Sequence, residues 1–182
     1  QGFEWSPDSH YILCNWQKDG GWNNQDVALI DIESGEITDL TCSGYSDGNF
    51  KWALGGKAMT WESDKNGYRS HGSWGAESDI YIMFFDTEAM TDFDRSKEEK
   101  EIAQLQKSDK ELKAEKKEEK KDSLKEEKNK VRKLELRLDG REDRVRRLTP
   151  FSNSLGDHYL SPEGDKLYFT QRLERGNDLC VR

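Results

Sequence analysis

Apolar and aromatic residues in this chain fall in short runs separated by turn residues, a pattern that predicts β-strands. The runs over 11–16, 27–32 and 80–85 are almost continuously apolar, as in inner strands covered on both faces. Ser6-Pro7-Asp8-Ser9 and Ser161-Pro162-Glu163-Gly164 predict tight turns, with proline presetting φ at the second position and Gly164 free to take positive φ. Glu33-Ser34-Gly35-Glu36 and Asp139-Gly140-Arg141 read as further hairpin connections. Leu134-Glu-Leu136-Arg-Leu138-Asp139 alternates and predicts one more strand, followed by Val145-Arg-Arg-Leu148.

These elements recur as a phrase. An aromatic pair (Phe3, Trp5), a turn and two strands close at Leu40-Thr41; Phe50 and Trp52 reopen the phrase, which closes again at Leu148-Thr149. A third copy starts at Tyr159-Leu-Ser161-Pro162 and runs to Val181. The step from Trp5 to Trp52 is close to the ~40–45 residue period of four-stranded propeller blades. The expected fold is therefore all-β: a partial β-propeller of about two and three-quarter four-stranded antiparallel blades. Blade 1 is expected over about 3–41, blade 2 over about 48–149 and a partial blade 3 over about 157–182. Gln1-Gly-Phe3 begins in mid-phrase, so a preceding segment is expected.

Composition changes this picture at one place. Residues 96–133 hold 14 of the 29 basic and 11 of the 37 acidic residues of the chain, while all 19 aromatics lie outside 94–150. Without Gly or Pro and with few apolar positions, this stretch predicts a charged helical or disordered insertion within blade 2. The rest of the chain carries a net charge of −11, which argues against nucleic-acid binding, since phosphates would be repelled. No run approaches the ~20 apolar residues of a membrane-spanning helix. Cys14, Cys42 and Cys180 form no CxxC pair and no disulfide framework.

Candidate chemistry is sparse. Gly44-Tyr45-Ser46-Asp47-Gly48 matches the GxSxG nucleophile string but stands where a loop joins two blades, not at a strand–turn–helix elbow. His10, His71 and His158 share no metal-ligand spacing, and Glu62-Ser-Asp64-Lys-Asn66-Gly67 lacks the downstream glutamate of a calcium loop. No catalytic residue, cofactor or metal ligand is assigned. The glycine-rich loop 66–75 is the candidate peptide-binding element, through Arg69, His71 and Trp74, with Trp22 in the corresponding loop of blade 1.

Phe3-Glu-Trp-Ser-Pro-Asp8, Asn66-Gly-Tyr-Arg-Ser-His-Gly-Ser-Trp74 and Asp79-Ile-Tyr-Ile-Met-Phe-Phe85 before a charged insertion resemble the propeller region of bacterial tricorn-like serine peptidases. Glu142-Asp-Arg-Val-Arg-Arg-Leu-Thr149 and Leu160-Ser-Pro-Glu-Gly-Asp-Lys-Leu-Tyr168 extend the resemblance over essentially the whole chain. Ser9 departs from the family's turn glycine, and Ala53-Leu54 from its Ser-Pro. The resemblance implies a parent protease related to carboxy-terminal processing peptidases, in which propellers admit or sort peptide and unfolded-protein substrates. None of the family's catalytic residues falls on this sequence. The alternative is a TolB-like propeller module that binds a protein partner in an envelope complex. Family resemblance favours an extracytoplasmic, periplasmic bacterial setting over a cytoplasmic one. Uncovered blade faces lead us to expect self-association of the isolated chain.

Overall fold

In the computed structural model, residues 2–17, 24–69, 75–96, 98–100, 102, 133–174 and 176–182 are described. The strands form three antiparallel meanders. The first sheet has the order β1 (Phe3–Trp5), β2 (Tyr11–Trp16), β3 (Asp26–Asp31) and β4 (Ile37–Asp39). The second has β5 (Asp47–Ala53), β6 (Ala58–Ser63), β7 (Asp79–Phe84) and β8 (Val145–Arg147). The third has β9 (Leu155–Leu160), β10 (Leu167–Leu173) and β11 (Gly176–Val181). The third unit thus starts two residues before the predicted 157. The stretch 103–132, most of the expected insertion, lies outside the described residues.

Strand parity explains the stacking. Along β7, Tyr81 and Met83, followed by Phe85, pack into one core with Tyr11, Leu13, Val27 and Leu29 of the first sheet. Ile80, Ile82 and Phe84 point the other way, into a second core with Leu160, Leu167 and Phe169 of the third sheet. The middle sheet is therefore buried on both faces, and burial of each such side chain contributes about 1.5–3 kcal/mol. An α-helix, α1 (Thr87–Asp94), follows β7; Asp86 caps it by accepting from Glu88 N at 2.9 Å, and Phe93 packs on Phe84 with ring centroids 5.2 Å apart.

One expectation is corrected. Leu134, Leu136 and Leu138 do alternate inward, packing against the core between the first two sheets, but their segment forms no ladder. It is an extended strap across the seam between those sheets. Leu134 N donates to Asp8 Oδ2 at 2.6 Å, Lys133 Nζ pairs with Asp31 and Glu33 at 3.2 Å each, and Arg137 N donates to Phe85 O at 3.0 Å. Arg141, in the 3-10 turn Arg141–Arg144 that follows, reaches the carbonyls of Asp39 and Leu40. The edge of β7 that a strand there would need is taken by β8.

Candidate functional site: the loop face of the first two sheets

In an antiparallel meander, the entry to the first strand and the link between the second and third strands leave at the same end. Asp47, Ser63 and Asp79 stand in one cross-strand row at that end of the second sheet. The connections 40–46 and 64–78 meet there. The first sheet contributes its β2–β3 link at the same end, since Asp47 N donates to Gln25 O at 2.7 Å.

Buried Asp64 organises these connections. It accepts from Arg69 through both carboxylate oxygens, at 2.9 Å from Nε and 2.5 Å from Nη2, and from Ser46 N at 3.0 Å. The fork raises the Arg69 pKa further and lays its guanidinium over the Tyr45 ring, 5.1 Å from the centroid. Arg69 and Ala76 form a β-bridge, and Glu77 N donates to Tyr68 O at 2.9 Å, so the chain is clasped where it flanks residues 70–74. Gly67 makes that neck possible: a Cβ there would collide with the Glu77 carbonyl. Of the residues singled out from sequence, Arg69 is placed on this face, half in solvent and ion-paired. His71, Trp74 and Trp22 lie outside the described residues.

Two constellations invite a catalytic reading. Ser46 leads directly into β5, with no helix behind it, so the GxSxG string has no elbow. His158 lies between Thr60 Oγ1, 3.0 Å from Nε2, and Glu62 Oε1, 3.3 Å from Nδ1, a hydroxyl–imidazole–carboxylate chain. Thr60 is only 1% exposed and His158 2%, so no substrate carbonyl could approach the hydroxyl. This chain instead ties β6 to β9 across the second seam, with Lys51–Asp157 at 2.7 Å beside it. Among the described residues no group of three or more His, Cys, Asp and Glu side chains could hold a metal ion, all three cysteines are free thiols, and no helix is long and apolar enough to cross a membrane.

Sequence reasoning missed a cavity of about 130 Å³ behind the same loops, continuous with the core between the first two sheets. Its walls are Leu40, Met83 and the stacked pair Trp61–Tyr81, whose ring centroids are 5.5 Å apart. Asp47 and Trp61 both line it; Asp47 pairs with Ser63, two residues along β6 from Trp61, so their side chains share one face. Asp47 Oδ2 accepts from Ser43 Oγ at 2.6 Å, whereas Asp47 Oδ1 and the Trp61 indole N–H are buried with no hydrogen-bond partner. Burial pushes the Asp47 carboxyl above its ordinary pKa, against the hydroxyls of Ser43, Ser63 and Thr41. An aspartate opening the strand after Leu-Thr, on the same face as a tryptophan of the next strand, is the sequence signal that marks the pair.

No protein-family model matches the sequence, and no curated protein does. The fold matches the solved structure of tricorn protease over 93% of this chain, with a TM-score of 0.53 at 11% identity. It also matches TolB from Acinetobacter baumannii over 98% of this chain, with a TM-score of 0.47 at 16% identity. The chain spans only 14% of the first protein and 28% of the second. Three stacked antiparallel meanders, with the tricorn protease likeness over nearly their whole length, make the chain a partial β-propeller.

Proposed function

We propose that this chain is a non-catalytic propeller segment of a tricorn-like serine peptidase whose loop face binds peptide or unfolded-protein substrates for a catalytic domain outside the chain. The observation that carries this reading is the clasped 66–75 loop, with Arg69 forked by Asp64 against Tyr45 at its neck. The neck sets Arg69 at the rim of the sheets, where a rigid scaffold presents side chains to a ligand, and His71 and Trp74 follow it in the sequence. The tricorn protease likeness adds support at the level of fold.

The test is fluorescence anisotropy of a labelled unfolded polypeptide titrated with the intact chain. Saturable binding is expected, and His71→Ala and Trp74→Ala should each weaken it by about 5–30-fold, the range of an anchor residue. Unchanged affinity in both variants would overturn the reading, as would Ser46-dependent peptide hydrolysis by this chain alone.

A further inference from the structure

We propose that the cavity between the first two sheets is a recognition pocket for a primary carboxamide, the group carried by glutamine and asparagine side chains. The pocket presents one unpartnered acceptor, Asp47 Oδ1, and one unpartnered donor, the Trp61 indole N–H. Asp47 is 3% exposed and Trp61 5%, so both atoms depend on what occupies the cavity for a hydrogen-bond partner. A carboxamide satisfies both at once: its NH2 donates to Asp47 Oδ1 and its carbonyl accepts from Trp61. An ammonium or guanidinium group would answer Asp47 and leave the indole N–H orphaned. A carboxylate would answer the indole and meet Asp47 as a like charge.

Size and walls agree with this assignment. A single water needs only ~10–15 Å³ of such space, so a cavity of about 130 Å³ is built for more than one solvent molecule. The Trp61–Tyr81 stack, Leu40 and Met83 supply apolar walls for the methylenes that bear the amide. Asn66 Nδ2 donates to Tyr81 OH at 2.9 Å and fixes that ring. Exposed Lys65 and Glu142 line the same cavity with opposite charges, so its entrance selects neither a cation nor an anion. The assignment is independent of the proposed peptide-binding role of the loop, because it uses neither Arg69 nor residues 70–74.

The experiment follows the Trp61 indole N–H resonance of the intact chain, identified by its loss in Trp61→Phe, during titration with propionamide. Saturable binding with a Kd of about 1–10 mM is expected for so small a ligand. Propionate and propylammonium should bind at least about tenfold more weakly, the loss of one buried hydrogen bond. Parallel titrations with a blocked glutamine peptide and its glutamate counterpart separate a peptide side chain from a free amide as the source. A tighter glutamine peptide assigns the former and a tighter propionamide the latter. Asp47→Asn should abolish the preference for amide over carboxylate, and Trp61→Phe should weaken propionamide binding measured on a ligand resonance; a thermal melt confirms that each variant is folded. His71→Ala and Trp74→Ala should leave propionamide binding unchanged, which keeps this result separable from that of the loop. Absence of any saturable shift, or equal response to propionate, would overturn the proposal.

Discussion

Ser9 adopts a left-handed backbone conformation, φ +61°, at the end of the first Ser-Pro turn. In the third sheet the same position is Gly164, φ +73°, and the two turns share their bonding: Ser6 O accepts from Ser9 N as Ser161 O does from Gly164 N, both at 2.9 Å. A side chain in that region is strained where glycine is not, so Ser9→Gly should stabilise the chain by about 0.5–1 kcal/mol. The melting temperature should rise by about 1–4 °C for a chain of this size. One residue back, Asp8 joins the turn to the strap: its carboxylate accepts from Ser6 Oγ, His10 N and Leu134 N. Burial pushes the carboxyl up, but those three donors outweigh it and hold the Asp8 pKa below the ordinary aspartate value of 3.8. A depressed folded pKa stabilises above the unfolded value and is lost as pH falls through the folded one. Asp8→Asn should thus cost about 1.5–3 kcal/mol near neutral pH, and the gap from the parent chain should close as melts are taken below about pH 4.

At the scale of elements, the Leu-Thr that ends each of the first two repeats has a physical role. Thr41 Oγ1 donates to Asp26 at 3.1 Å and accepts from Val27 N at 3.0 Å; Thr149 Oγ1 donates to Asp79 at 2.6 Å and accepts from Ile80 N at 3.2 Å. Each threonine thereby clasps the end of the fourth strand to the start of the third. Asp79 is fully buried and Asp26 half-buried, so Thr149→Val should be the more damaging change, at about 2–3 kcal/mol in urea unfolding, and Thr41→Val at about 1 kcal/mol. The strand β7 is legible in the sequence because a doubly covered strand must be apolar on both faces, and β2 and β3 carry the same apolar run although only one face of their sheet is covered. The leucines at 134, 136 and 138 misled because alternation reports which side chains turn inward, not whether a neighbouring backbone is free to pair. Helix α1 escaped notice because only Ala89, Met90 and Phe93 mark its inner side, and its clearest signal is the cap Asp86 two residues before Glu88. The cavity pair was hidden for another reason. Register, not spacing, brings Asp47 beside Trp61.

At the scale of the whole molecule, two apolar faces stand uncovered among the described residues. On the first sheet Phe3, Trp5 and Ile37 are 70%, 49% and 45% exposed and share the side of Ile12 and Ile30. On the third, Tyr159, Leu179 and Val181 are 54%, 70% and 57% exposed on the side away from Phe169. The intact chain should self-associate through these faces, with two copies offering six sheets, within the usual 4–8 of a closed propeller. Light scattering over a hundredfold concentration range should show dimers; a monomer throughout would contradict it. The late arrival of β8 has a consequence during biosynthesis. Roughly 60 residues separate β7 from the strand that covers its edge, and a ribosome needs about 3–12 s to add them at 5–20 residues per second. For that interval the most apolar strand of the nascent polypeptide offers an unpaired edge, and the strap that cements the first seam has not yet emerged. A chaperone that masks strand edges would have its greatest effect on yield in that interval, before the final fifth of the chain has been translated.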